Sequence, residues 1–416
     1  MDNKIYDIEK SRWLVHFAAI TETDPVVSEG MHLFEDRKGN IMHRKNLFNV
    51  NHVLTRDQKY QGKIQYDEFS DTVLVYGQPV MDTMCTQIAI DLSHRYPGLD
   101  VPSSLVYEAV IRVAREHAIH PVRDYLDGLE WDGVERVSRL FLHYFSAVHQ
   151  NQNEARLIED IATCFLVSCV ARVMKPGCKV DTTPIVYGGQ GMGKSTAFRV
   201  LAGEKWFSDT PLPLGHKDSY QQLPGVWIYE LAELDSFRNA ESTQIKAMLS
   251  SQEDKYRPSY GRVRVNVPRQ TVFVGTTNAE EFLSDETGSR RFWPIEAGKV
   301  QMEHLYRDRD QLWAEAVHLY QSGREWWLDY EQARDLAAMS DRFRQVDPWE
   351  DEILQWLQSY ALVITTRAIL TDALGVPKDR VRRSDEIRVA KIMRSIGYSK
   401  TRERANGTRM QAWTKA

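Results

Sequence analysis

The sequence predicts an α/β protein with a parallel sheet at its centre, a mixed and helical region before it, and a small basic helix-and-hairpin unit after it. Three observations predict this. Between residues 176 and 300, short apolar runs alternate with helix-like stretches, the pattern of βαβ units and a parallel sheet. Within that region "PIVYGGQGMGKSTAFRVLAG" (Pro184–Gly203) passes from an apolar run through a glycine-rich turn into a helix-like segment. Finally, residues 361–416 carry 13 Lys and Arg against five Asp and Glu, a net +8 on a chain whose total is −5.

Composition removes several classes. Hydrophobic residues at 42% and charged residues at 27% are ordinary for a globular chain with a packed core. No apolar run approaches the length of a bilayer span, and Asp2, Lys4, Asp7 and Glu9 do not suit a secretory start. Cys85, Cys164, Cys169 and Cys178 form no CxxC pair, so neither zinc nor a disulfide framework is suggested. The expected setting is cytoplasmic and reducing, with no membrane. The +8 segment leaves −13 on the rest, and a basic unit on an acidic body suits a polyanionic partner.

Taken in order, residues 1–100 read as an α+β accessory region, with strand-like alternation in Lys63–Gly77. Residues 101–175 read as a helical, collar-like region. Ser103 and Ser104 open one helix, and Glu154–Met174 is apolar on several faces, as a buried helix is. In residues 176–300 the strands are expected at Pro184–Tyr187, Val226–Tyr229 and Thr271–Gly275, and helices at Ser195–Leu201 and Ser242–Leu249. Residues 301–350 form a helical lid or linker, with Met302–Gly323 amphipathic. Residues 351–416 are expected to form a basic winged-helix-like domain, and the helix that leads into it, Pro348–Tyr360, opens at Pro348. There a short helix ends at Gly375. A second, Ser384–Ile396, puts Val389, Ile392, Met393 and Ile396 on one face, and an Asn406-Gly407 hairpin follows. Helix, helix, hairpin is the winged-helix order. Arg382, Arg383, Arg388, Arg394, Arg402, Arg404 and Arg409 are then candidate duplex DNA contacts.

Gly188, Gly193, Lys194 and Ser195 fit G-x-x-x-x-G-K-[ST], with Gly189, Gln190, Gly191 and Met192 inside the loop and Thr196 after it. Such a loop aims backbone N–H groups at phosphate oxygens, and the following helix adds its positive end. In this P-loop NTPase reading ATP is the substrate. Lys194 reaches the β- and γ-phosphates, and Ser195 offers its hydroxyl to Mg²⁺. Glu230, at the end of an apolar run, is the expected metal-holding acid. Glu233 is positioned to polarise the attacking water. Thr276, Thr277 and Asn278 end another strand and supply the polar group that holds water or senses the γ-phosphate. The loop itself has no arginine, so one of Arg290 and Arg291 is expected to act on a neighbouring subunit's nucleotide while the other pairs structurally.

The stretch from Glu230 to Pro294, with these elements in this order, closely resembles the virulence-associated protein E family, and His120–Val137 resembles that family's upstream helical region. The resemblance covers roughly residues 100–300. It implies an AAA+-like ATPase related to superfamily 3 helicases, working as a hexameric ring in the replication of phages and mobile elements. Lys194 and Ser195 match the P-loop pair, Glu230 and Glu233 the second-motif acids, Asn278 the sensor, and Arg290 and Arg291 the finger region. It also implies a DNA-gripping hairpin near Tyr256–Val267, where Lys255, Arg257, Arg262, Arg264 and Arg269 alternate with Tyr256 and Tyr260. Cations there suit phosphates and rings suit bases of a single strand in the ring. Many relatives carry an upstream primase. Residues 1–100 show no paired-acid polymerase site, so a separate primase or other replication partner is the expectation, with this region as collar or docking module. Two rival functions remain: a nucleotide-controlled replication initiator or clamp without unwinding activity, and a small-molecule kinase, against which the basic tail and arginine pair argue.

Overall fold

The computed structural model describes residues 25–213, 217–232, 239–257, 265–279, 291–343, 347–359, 363–405 and 408–415. In the N-terminal part, helices α1 (Leu47–Arg56) and α2 (Asp82–Arg95) pack on α3 (Ser103–Glu116), which packs on a four-stranded sheet. Its strands β1 (Ile64–Asp67), β2 (Thr72–Val75), β3 (Gln78–Pro79) and β4 (Ala118–Ile119) lie in the order β3-β2-β1-β4. The Asn46 side chain caps α1 by accepting from the Asn49 N–H. In α3 the buried residues Val106, Ala109, Val110, Val113 and Ala114 recur at helical spacing and form one face. That face joins a core running from Val27 to Ala114, so the packing crosses residue 100, where the sequence suggests a change of region.

A second core, which runs from Val122 to Met339 and takes in Phe69 from the N-terminal part, holds the central layers together. Its axis is α5 (Gln152–Met174), which follows α4 (Pro121–Asp127) and is buried along most of its length, as its all-round apolar character predicts. Beside it lies a five-stranded sheet: β5 (Thr183–Tyr187), β6 (Phe207–Ser208), β7 (Ile228–Leu231), β10 (Val272–Thr277) and β11 (Phe292–Glu296). The order is β11-β5-β10-β7-β6, and every neighbouring pair is parallel. Helix α6 (Lys194–Ala202) follows β5, α7 (Asn239–Ser250) follows β7, and α8 (Met302–Gln321) and α9 (Tyr330–Ser340) follow the sheet. All strand C-termini therefore share one edge, where loops of such sheets meet ligands.

Two strands of the sheet differ from expectation. Strand β7 begins at Ile228 and runs through Leu231, so Glu230 lies within the ladder instead of after it. Gly225, at φ 81°, makes the turn that delays the strand, while the Trp227 N–H donates to the Trp206 carbonyl at 2.7 Å. Strand β11, "FWPIE", is unexpected because it contains Pro294. Among the described residues it pairs with β5 alone and forms the sheet edge, the position where a missing N–H is tolerated.

Between α7 and β10, β8 (Glu253–Tyr256) pairs antiparallel with β9 (Val265–Pro268), so the expected hairpin has a formed stem. Arg269 does not belong to its exposed cations. It is 1% exposed, its Nη2 lies 2.5 Å from Asp254 Oδ1, and it also donates to the Met248 carbonyl. Asp254→Ala leaves that guanidinium buried and unpaired, so the expected loss of stability is about 3–5 kcal/mol. Urea unfolding followed by circular dichroism reads it directly. A loss below about 1 kcal/mol would show that the pair does not hold the hairpin foot.

The C-terminal part comprises α10 (Pro348–Ser359), a short helical turn at Thr366–Ala373, α11 (Arg383–Ser395) and a hairpin of β12 (Tyr398–Ala405) and β13 (Thr408–Lys415). Val389, Ile392 and Met393 of α11 meet Ile353, Ile369, Leu370 and Trp413 in a core of their own. Ala405 pairs with Thr408, and the expected Asn406-Gly407 turn lies outside the described residues. Among the described residues, no helix is long and apolar enough to cross a membrane.

Candidate nucleotide site

The glycine loop leaves the C-terminal end of β5. A Cβ at Gly188 would stand 2.6 Å from the Ala297 carbonyl oxygen, closer than any side chain tolerates. Gly193 is the N-cap of α6 at φ 89°, a left-handed conformation that glycine adopts without strain. The loop rests on the segment after β11. The Ala297 N–H donates to the Tyr187 carbonyl at 2.8 Å, and the Val300 N–H donates to that of Met192 at 3.0 Å. This support is itself tied to the helical region. The Gly298 N–H donates to the Phe145 carbonyl at 3.1 Å, and the Gln301 N–H donates to that of Tyr144 at 2.8 Å.

Lys194 opens α6 and is 7% exposed. Its Nζ donates to the Gly188 carbonyl at 2.6 Å, the Gly189 carbonyl at 3.0 Å and Asn278 Oδ1 at 2.9 Å. Burial lowers its pKa from the ordinary lysine value, and the Glu230 carboxylate opposes that shift. Glu230 is 2% exposed, and the Ser195 hydroxyl donates to its Oε1 at 2.7 Å. The Thr276 hydroxyl, from the adjacent strand β10, donates to the same oxygen. Among the described residues, Glu230 Oε2 is buried without a hydrogen-bond partner. A buried carboxylate oxygen left open costs free energy unless something positive meets it. The donor set of one hydroxyl and one carboxylate suits Mg²⁺, which keeps several waters and takes few protein ligands. The residues present therefore fit that ion, and Ser195 and Glu230 are the ones that could hold it.

The structure thus brings Gly188–Thr196, Glu230 and Asn278 to one edge of the sheet. Glu233 and Arg290 lie outside the described residues. Arg291 sits at the other edge: it precedes Phe292, which pairs with Thr183 at the start of β5. Five strand residues, about 16 Å at 3.3 Å each, separate it from its own glycine loop. There its Nε donates to Ser250 Oγ at 3.1 Å and lies 4.0 Å from Asp181 Oδ2.

Of the expected DNA contacts, Lys255 is exposed on β8, 3.6 Å from Glu253, and Arg257 follows the strand, exposed. Tyr260, Arg262 and Arg264 lie outside the described residues. Arg382, Arg383, Arg394 and Arg402 are exposed, while Arg404 and Arg409 lie on β12 and β13. Arg388 is engaged within the chain. It holds Asp347 through two nitrogens at 2.7 and 2.8 Å, and its guanidinium lies 3.8 Å from the Trp349 ring centre. The sequence reading missed the 297–301 segment as loop support. Gly298 was its one signal, since a Cβ there would stand 3.0 Å from the Ser146 carbonyl oxygen.

A parallel sheet with a glycine loop and buried lysine between its first central strand and a helix defines an α/β protein of nucleotide-binding type. Residues 126–345, more than half of the chain, match the virulence-associated protein E-like domain, and the chain belongs to that family. Among solved structures, the apo C-terminal region of NrS-1 (its residues 305–718) aligns at TM-score 0.48 and 13% identity, covering 84% of this chain and 95% of that one. The A form of the apo NrS-1 C-terminal region aligns at TM-score 0.47 and 12% identity, covering 85% and 96%. No curated protein matches the chain in sequence.

Proposed function

We propose that this protein is a Mg²⁺-dependent ATPase that moves or unwinds DNA during replication of a phage or other mobile element, with ATP bound between subunits of a ring. The observation that carries the reading is the Glu230 carboxylate, held by Ser195 and Thr276, with its second oxygen buried and without a hydrogen-bond partner among the described residues. The family membership supports the same reading.

In this reading the loop N–H groups bind phosphate oxygens. Lys194 exchanges its two carbonyl contacts for the β- and γ-phosphates while Asn278 keeps it aimed. Mg²⁺, when bound at Ser195 and Glu230, supplies positive charge against the phosphate oxygens. Glu233 is assigned to polarising water. Arg291, with partners in its own chain, is assigned the structural role and Arg290 the finger toward the next subunit. The hairpin stem presents Lys255 and Arg257 to a single strand. The C-terminal unit is read as a winged helix on duplex DNA, and the N-terminal core as a collar.

ATP-dependent displacement of a labelled strand from a forked duplex is the expected result. Nucleotide-dependent DNA binding without displacement would favour an initiator or clamp instead. For the C-terminal unit, exposed Arg382 and Arg383 predict a specific change. Replacing both with Gln should flatten the slope of log affinity for duplex against log salt by about 1.8, from roughly 0.9 per phosphate contact. An unchanged slope would assign this face to a protein partner.

A further inference from the structure

A cavity of about 670 Å³ lies at the other edge of the sheet, far from the glycine loop, between the α5–β5 connection and the turn after α8. Lys175, Lys179, Gln252, Trp326 and Trp327 are among the residues that line it. A smaller cavity of about 210 Å³ shares Lys179, Asp181 and Trp327 and ends at Arg291.

The aromatic wall is set in advance. The Trp326 indole N–H donates to the Lys179 carbonyl at 2.9 Å, and its ring meets Trp327 edge-on at 5.2 Å. Trp327 is 48% exposed, which leaves much of a large apolar ring facing water. The charge is positive. Lys175 is exposed, with no ion pair among the described residues, and Lys179 is 3.7 Å from Asp181, which also faces Arg291. Two cations, Lys179 and Arg291, thus flank one carboxylate, and Lys175 adds a further positive charge to the cavity lining. Lysines are depleted in protein–protein interfaces, whereas lysines beside an open aromatic ring suit a chain of phosphates and bases.

The cavity also joins the foot of the β8–β9 hairpin. The Gly177 N–H donates to the Arg269 carbonyl at 2.9 Å, and the Arg269 N–H donates to the Gln252 carbonyl at 2.9 Å. Gln252 is three residues from Lys255, about 10 Å along a strand.

We propose that this cavity is a second site for single-stranded nucleic acid, in which Trp327 stacks on a base, Lys175 and Lys179 hold the flanking phosphates, and the Gln252 amide meets a base edge. The choice of ligand rests on the DNA-binding reading above; the site itself rests on these residues.

Fluorescence anisotropy of a labelled 20-nucleotide oligo-dT with the full chain tests it. Trp327→Ala should weaken binding about tenfold, the lower range of one lost base stack, and Trp327→Phe should retain most of the affinity. Replacing Lys175 and Lys179 with Gln should flatten the single-strand salt slope by about 1.4. ATP turnover without DNA should not change, because none of these residues touches the nucleotide site. Unchanged affinity and slope in these variants, with Lys255→Gln still weakening binding, would overturn the second site and leave the hairpin reading standing. No binding by the unaltered chain would overturn both. A change in oligomer size on sedimentation with unchanged oligo-dT affinity would make the cavity a subunit contact and overturn the proposal.

Discussion

Replacing Lys194 with Ala is expected to lower ATP turnover about a thousandfold, the upper range for losing one preorganised charge contact to a reacting group. The physical reason lies in its surroundings. The Lys194 ammonium is buried and is held by Gly188, Gly189 and Asn278, so it arrives at the phosphates already oriented and partly desolvated. A methyl group there leaves two loop carbonyls and the Asn278 amide without their shared donor. Asn278→Ala keeps the cation but removes its guide, and a loss of about tenfold is expected. Steady-state phosphate release, with circular dichroism to establish folding, measures both. Equal losses in the two variants would mean that loop integrity, not the lysine charge, limits turnover.

The second large effect concerns the arginine pair. Arg290→Ala is expected to reduce turnover by about 10³ or more, the range for a finger that stabilises charge on a transferring phosphoryl group. Nucleotide affinity should change little. Arg291→Ala should instead loosen the foot of β11, because Arg291 bonds Ser250 and faces Asp181. Arg291 precedes Phe292 at the edge of the sheet opposite the glycine loop, away from the candidate nucleotide site of its own chain. Mixing decides the matter. An excess of Arg290→Ala combined with Lys194→Ala should recover activity, since some mixed interfaces pair an intact lysine with an intact arginine. No recovery in oligomers that exchange subunits would remove the shared-site model.

Much of the central region was legible from residue order. The strands around Pro184–Tyr187 and Thr271–Gly275 announced themselves as apolar runs before a turn, and α8 as a 3.6-residue stripe. The C-terminal hairpin was visible in its Asn-Gly dipeptide, because few other pairs suit a two-residue turn. The expected start of β7 was two residues early, since an apolar run does not say where neighbouring backbone groups will pair. Strand β11 was hidden by Pro294, which reads as a breaker until the strand is known to lie at a sheet edge. Arg269 shows the same limit in a side chain. In the sequence it is one more cation in a basic hairpin, and only the fold supplies the Asp254 that buries it.

By itself the sequence determined the glycine loop, its lysine and serine, the parallel α/β class and the family, because each depends on residue type and spacing over a few neighbours. Only the tertiary structure decided that Glu230 receives Ser195 and Thr276 from two other elements, that Asn278 guides Lys194, and that Ala297–Gln301 supports the loop from behind. These partners are far apart along the chain. What joins them is the strand order β11-β5-β10-β7-β6, which sets β10 between β5 and β7 and so brings their C-terminal ends to one edge.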